Sequence, residues 1–461
     1  MHHTSSAIHT QRSFISTHRI TTDCQSTFNL LTSEILFDEV EKWLPEHRER
    51  HFPPTETLAM FIAQALSADG SCQHAVNQAA IHRLVAGLPV CSTHTGGYCR
   101  ARLRLPMEMV SGLTCYLGQH IDRQLPDEWR WHGRRVRLVD GTTVTMPDTP
   151  ENQSAYPQQR GQKEGLGFPI CRVVGITCLA SGALLNAAVG RFNGKGGDEQ
   201  TLMRSIQDTL ESGDIIMGDA FFPSFFFLAV MQEKGVDVLM EQMGARKRVT
   251  DFRRGKRLGQ RDHLIVIEKP KRRPYWMSEE AYRTAPASLT VREFKAGGKV
   301  MVTTLICPKA TPKDELSALY RQRWSVELDI RHIKETMGMN ILSCKTPEMA
   351  LKEIWVYLLA YNLIRLLMVQ SADISDTMPR SLSFKHCLQL WLLWSQQADT
   401  FSEACLYTLY VLMAQQRVGN RPGRIEPRAV KRRPKAYPLL TVPRQQAREK
   451  VQKHGHPKKL K

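Results

Sequence analysis

A chain of 461 residues, 42% of them apolar, has room for about two to four structural units and a well-buried core. Its formal charge of +18 and sequence pI near 9.5 point to a polyanionic partner, with nucleic acid ahead of membrane surfaces and acidic proteins. The polar start does not read as a signal peptide, and eleven scattered cysteines without a C-x-x-C pair argue against a secreted disulfide scaffold and for reduced thiols in the cytoplasm.

Residues 1–28 are polar and aperiodic and read as a disordered arm. Residues 29–128 carry helical periodicity and are expected to form an N-terminal helical, DNA-binding domain. Leu30, Leu31, Ile35, Leu36 and Val40 make one apolar stripe, and Leu58, Phe61, Ile62, Ala65 and Leu66 make another after a helix start at Pro53-Pro54-Thr55-Glu56. Gly70 breaks this helix, and a further one runs to about Val85. A basic run between Thr93 and Arg104 is compatible with a helix-turn-helix-like DNA reader and equally with a helical packing domain. Cys72, His74, His82, Cys91, His94 and Cys99 are zinc-ligand types, but their spacing matches no paired-ligand pattern, and core thiols with surface histidines are the better reading.

The pattern changes near Trp129. Arg135–Asp140 alternates as a half-buried strand, Cys171–Leu179 and Leu184–Val189 read as a hairpin around Ser181-Gly182, Glu199–Leu210 reads as a helix, and Asp214–Asp219 and Val236–Met240 read as short strands. That order predicts a mixed α/β sheet over residues 129–244 and 308–370. Residues 245–307 are basic and mostly β, with strand-like pieces at His263–Glu268, Ser288–Phe294 and Lys299–Ile306, and read as an insertion. Lys313–Met337 follows as one long amphipathic helix, then Met349–Val369 and a C-terminal helical region over 371–420. The most apolar run, Ile354–Gln370, is shorter than the roughly 20 residues a membrane span needs and contains Asn362 and Arg365, so it reads as a buried helix and no membrane is expected as a partner. In the tail, 421–461, fourteen cationic side chains face only Glu426 and Glu449; such a tail is usually solvated and also suits DNA phosphates.

Phosphoryl transfer on DNA requires charge to be neutralised on both the attacking and the leaving oxygen, which two Mg²⁺ ions about 3.5–4 Å apart supply. Mg²⁺ prefers carboxylate oxygens on rigid elements. Asp140 and Asp219 each end a predicted strand, although an Asp there is commonly a turn cap. On an ideal helix with Tyr320 at zero, Arg323, Glu327 and Lys334 fall at about 300°, 340° and 320°, so all four share about a 60° arc. One carboxylate among a phenol and two cations suits a metal ligand with phosphate-gripping neighbours, while Glu327 with Arg331 also suits a surface ion pair.

The spacing Y-x2-R-x3-E-x6-K, met by Tyr320, Arg323, Glu327 and Lys334, resembles the signature helix of DDE transposases of the bacterial insertion-sequence four family. The contexts Asp140-Gly141-Thr142 and Gly218-Asp219-Ala220-Phe221-Phe222 resemble those of the family's two aspartates, and the β insertion before the Glu is also similar. The resemblance implies a ribonuclease-H-like mixed-sheet core interrupted by a mostly β insertion and flanked by N- and C-terminal helical regions. It implies cut-and-paste DNA transposition: binding of terminal inverted repeats and target DNA as double strands, metal-dependent strand cleavage and strand transfer, and a homodimer in the DNA complex. Asp140, Asp219 and Glu327 would be catalytic and hold two Mg²⁺ ions, with Mn²⁺ able to substitute. Tyr320, Arg323 and Lys334 would contact DNA phosphates. The setting implied is the bacterial cytoplasm, at the nucleoid. Trp276, in the insertion, is a candidate for stacking on a flipped base, and a packed Trp is the commoner role. The other readings of the same residues are a metal-dependent nuclease acting on branched DNA and a catalytically silent DNA-binding descendant.

Overall fold

The computed structural model describes residues 42–44, 52–67, 69–85, 87–194, 196–242, 250–395, 403–419 and 440–455. The predicted arm, the Leu30–Val40 stripe and most of the basic tail lie outside the described residues.

Helix α1 (Pro54–Leu66) starts where Pro53-Pro54 predicts and stops at Ser67; α2 (Cys72–Val85) and α3 (Thr95–Arg104) follow. Ala75, Val76, Ala79 and Ala80 of α2 and Tyr98 and Ala101 of α3 pack on Met60 of α1 in a small core of their own. Helix α4 (Met107–Arg123) instead joins the main core through Met109, Val110, Leu113, Leu117 and Ile121. It approaches the sheet so closely at Gly118 that any side chain there would collide with the Leu184 carbonyl.

Strand β1 (Val136–Thr145) leads through a short helix, α5 (Pro150–Ala155), to the hairpin β2 (Ile170–Cys178) and β3 (Leu184–Arg191), turning at Gly182 with φ +77°. Helix α6 (Glu199–Ile206), β4 (Ile215–Gly218), α7 (Phe225–Glu233) and β5 (Asp237–Glu241) complete the predicted α/β series. The insertion contributes β6 (Lys256–Gly259), β7 (Asp262–Glu268), α8 (Glu279–Thr284), β8 (Ser288–Ala296) and β9 (Lys299–Thr303).

The nine strands of the described residues form one sheet in the order β3-β2-β1-β4-β5-β9-β8-β7-β6. β1 is antiparallel to β2 and parallel to β4, β4 is parallel to β5, and β9 pairs antiparallel with β5. The insertion therefore extends the central sheet. A mixed α/β architecture is what the sequence order predicts; the continuity of the sheet is not visible in that order.

Alternation along the strands sorts the core into two layers. Val136, Leu138, Ile215, Met217 and Leu239 face one way, against Leu316, Leu319 and Val326. Val139, Ile216, Val238 and Met240 face the other way, toward the larger core that includes α4, α6 and α7. The predicted single helix 313–337 is instead α9 (Lys313–Arg321), a 3₁₀ turn (Gln322–Trp324), α10 (Ser325–Arg331) and a π turn (His332–Thr336). Helix α11 (Pro347–Ile374) is longer than expected, at 28 residues, and is apolar enough by length and composition to cross a membrane. Its apolar surface is spent inside the protein, with 83% of its most apolar window buried. Helices α12 (Phe384–Trp394) and α13 (Glu403–Ala414) pack against it, and α14 (Arg444–His454) gives part of the basic tail a regular structure.

Candidate active site

Sequence alone suggests that Asp140 ends its strand. The strand instead continues to Thr145, because Thr142, Thr143, Val144 and Thr145 are β-branched and pair with Val173, Arg172, Cys171 and Ile170 of β2. What opens space beside Asp140 is the end of its other neighbour. The parallel register runs Val136↔Ile215 to Leu138↔Met217, and β4 stops at Gly218. Asp219 thus leaves the sheet alongside Asp140, in a turn where its Oδ1 accepts the Phe221 N–H at 2.8 Å. Asp140 Oδ1 accepts the N–H of Gly141 at 2.8 Å. Burial above all, then repulsion from Asp219 and Glu199, pushes the Asp140 carboxyl up to about 6, against the opposing pull of the Gly141 N–H and of Arg323.

The broken helix still presents Tyr320, Arg323, Glu327 and Lys334 toward β1 and β4. A tightly wound 3₁₀ turn carries Arg323 and a loosely wound π turn carries Lys334, so the over- and underwinding offset one another. Arg323 donates to Glu327 Oε1 at 2.7 Å and lies 3.8 Å from Asp140 Oδ2. Tyr320 donates its hydroxyl to the Gly218 carbonyl at 3.2 Å, and burial pushes that phenol up to about 12. Lys334 donates to Thr142 Oγ1 at 3.1 Å, and partial burial lowers its pKa.

Two of the three predicted carboxylates, Asp140 and Glu327, therefore share one guanidinium, and Asp219 lies close enough to Asp140 to repel it. Among the described residues no three His, Cys, Asp or Glu side chains stand close enough together to hold a metal ion. Arg323 is the cation between Asp140 and Glu327. The donor set nevertheless fits a hard divalent cation, since every acidic group at the site offers carboxylate oxygen and Asp140 is buried beside two further carboxylates, Asp219 and Glu199.

Asp329 positions this helix from its other side. It is fully buried, accepts from Arg365 at 2.6 Å and from Arg380 at 2.8 and 3.0 Å, and so pins α10 to α11 and to the segment after it. Burial alone would raise its carboxyl, but Arg380 and Arg365 overcome that and hold it below the usual range.

Two residues at the site carry no motif in the sequence. Glu199, the first residue of α6, lies against Gly141, and Arg172 of β2 stands 3.7 Å from it. Trp276 packs edge-on against Phe226 with the Arg204 guanidinium 4.0 Å above its ring, a packed role; its neighbour Tyr275 is 72% exposed. Of the cysteine and histidine cluster, Cys72 and Cys99 both contact Arg102, at 3.1 and 3.8 Å, and Cys91 is buried.

The model of the Transposase DDE domain family matches residues 131–363. The chain is 28% identical over 367 residues to the transposase InsG for insertion sequence element IS4 of Escherichia coli (strain K12), covering 74% of this chain and 77% of that protein. It also aligns, at a TM-score of 0.45 and 10% identity, with the piggyBac transposase synaptic complex with hairpin DNA, over 89% of this chain and 88% of the other. The family match takes in half of the sequence and every residue placed at the site above, and the chain belongs to the transposase DDE domain family.

Proposed function

We infer that this DNA transposase binds the terminal inverted repeats of an insertion sequence and cuts and joins DNA at a site built from Asp140, Asp219 and Glu327. The observation that carries the assignment is the register that sets Asp219 beside Asp140, with Arg323 spanning Asp140 and Glu327 at 3.8 and 2.7 Å. The three carboxylates would hold two Mg²⁺ ions, with Mn²⁺ as a substitute. When bound, such ions neutralise the charge that develops on the attacking and leaving oxygens.

The chain's own part in the reaction is to position and to clamp. Asp140 sits in β1 and Asp219 just past the end of the adjacent β4, held in its turn by the Phe221 N–H, so they form the rigid half of the site. Glu327 rides on a helix pinned by Asp329. Arg323 must release Glu327 for it to serve as a ligand, and the freed guanidinium is then available to a DNA phosphate. Tyr320 and Lys334, now on the Gly218 carbonyl of β4 and on Thr142 of β1, flank the place where β4 ends beside β1 and would steer the phosphodiester onto it. Water would attack first, freeing a 3′-hydroxyl; that hydroxyl would then attack the opposite strand or target DNA.

The three antiparallel strands β3-β2-β1 followed by parallel β4 and β5, with one aspartate in β1 and the other directly after β4, support a ribonuclease-H-like core. Around it we place an N-terminal repeat-reading domain over 29–128, the 245–307 insertion and the basic tail over 421–461, with a homodimer assembled on DNA in the bacterial cytoplasm. The test is cleavage of labelled DNA bearing the element's terminal repeat, with Mg²⁺ or EDTA, by wild type and Glu327→Ala. Metal-dependent cutting at the repeat end that the variant lacks is the expected result. Specific repeat binding without any wild-type cutting would overturn the catalytic assignment.

A further inference from the structure

Gly141 follows Asp140 in β1, and the strand's alternation turns its missing side chain away from the Asp140 face and toward α6. A Cβ at Gly141 would lie 2.6 Å from both Cδ and Oε1 of Glu199 and 2.8 Å from its Cγ. The Glu199 carboxylate therefore occupies the space that any other residue at 141 would fill. This is a physical reason for glycine after the aspartate at a position where the backbone needs no unusual φ.

Glu199 is also held where it stands. It opens α6, whose Leu202, Met203 and Ile206 are buried in the main core. The next residue, Gln200, donates to the Phe221 carbonyl at 2.5 Å, which ties the first turn of α6 to the turn carrying Asp219. Arg172 stands 3.7 Å from the carboxylate, outside hydrogen-bond length, and spends its own strong bond on the Gly197 carbonyl at 2.8 Å while its guanidinium lies over the Phe192 ring. A carboxylate that is three-quarters buried thus keeps its acceptor capacity, beside the end of β4 and near enough to Asp140 and Asp219 for the three charges to repel one another. The guanidinium of Arg323 between Asp140 and Glu327 shows that the cluster already draws a cation in.

We propose that Glu199 is a fourth carboxylate of the active site and contributes to holding the divalent cation, with Gly141 as the gap that admits it. This rests on the reading of Asp140 and Asp219 as the rigid half of the metal site.

The experiment is Mn²⁺ binding to the full-length protein without DNA, by titration calorimetry and by loss of the free-ion electron paramagnetic resonance signal. Wild type, Glu199→Gln, Glu199→Asp, Gly141→Ala and Asp140→Asn are compared. Glu199→Gln is expected to weaken Mn²⁺ binding about 10- to 100-fold, with the melting temperature and repeat-DNA affinity of wild type, and with cleavage partly restored by raised Mn²⁺. Glu199→Asp, which keeps the charge, should recover part of the affinity. Gly141→Ala should reproduce the loss with every carboxylate intact. If Asp140→Asn loses Mn²⁺ binding and Glu199→Gln keeps it, the Glu199 proposal is overturned and the parent site stands. If Asp140→Asn also keeps it, the metal-site reading itself is overturned.

Discussion

Two residues past Glu327, Asp329 points into the core and neutralises both Arg365 and Arg380. Removing it leaves the buried Arg365 and the partly buried Arg380 without a counter-charge, so Asp329→Ala should cost about 3–5 kcal/mol. Chemical denaturation measures this. The pH dependence follows from the depressed carboxyl. The native state binds fewer protons than the unfolded one, so the stabilisation is complete above the ordinary Asp value of about 3.9 and is lost as pH falls through the lower native value. Asp329→Asn should therefore be less stable at neutral pH and lose less on acidification; equal acid sensitivity would remove Asp329 as the cause. The carboxylates proposed as catalytic should behave differently. Asp140→Ala, Asp219→Ala and Glu327→Ala should each abolish cleavage and leave repeat binding nearly intact, because affinity comes from phosphate contacts elsewhere. A variant that cuts at the wild-type rate excludes that residue, and gel-shift and cleavage assays on one DNA separate the two effects.

At the level of elements, the break in the signature helix is where residue spacing and real geometry part. The spacing Tyr320–Arg323–Glu327–Lys334 places all four on one face of an ideal helix, and in the structure they do meet β1 and β4, but by way of a 3₁₀ turn and a π turn. No propensity in Gln322–Trp324 or His332–Thr336 announces those turns; the need for Asp329 to reach Arg365 and Arg380 while Lys334 reaches Thr142 sets them. Similarly, β1 overruns Asp140 because pairing with β2 supplies hydrogen bonds that a reading of Arg135–Asp140 in isolation lacks. Helix α14 adds a basic element beside the end of β1: Arg444 lies 3.7 Å from Asp148, and Pro443 packs on Gly165. Its Arg448, Lys450 and Lys453 suit phosphates of DNA leaving the site. Deleting the chain from Arg421 onward should lower repeat affinity and flatten the plot of log K against log salt by roughly 0.9 for each phosphate the shortened protein no longer neutralises. An unchanged slope in a salt titration would mean that this segment does not touch DNA.

Over the whole molecule, the insertion is structurally part of the core. Leu239, Met240 and Glu241 of β5 take Thr303, Val302 and Met301 of β9 as partners, and the buried pair Arg292–Asp262 is bonded onward to the Thr311 carbonyl ahead of α9. Excising residues 245–307 would strip β5 of that neighbour and leave a flat, apolar edge open to pairing with other chains. The expected outcome is an aggregating protein, read by soluble yield and sedimentation; a monodisperse, folded product would show that the β5–β9 ladder is dispensable. Much of the plan was legible beforehand. Hairpin and strand patterns, the start of α1 and the three motif regions are local, because side-chain period, turn chemistry and fixed spacings reside in neighbouring residues. Local patterns along the chain suffice for the succession of strands and helices, the basic charge and the identity of the three acidic motif residues. The joining of the nine described strands in one sheet, the place of Arg323 between Asp140 and Glu327 and that of Glu199 in the gap left by Gly141 come from the fold, since each depends on the register between segments that local periodicity does not encode.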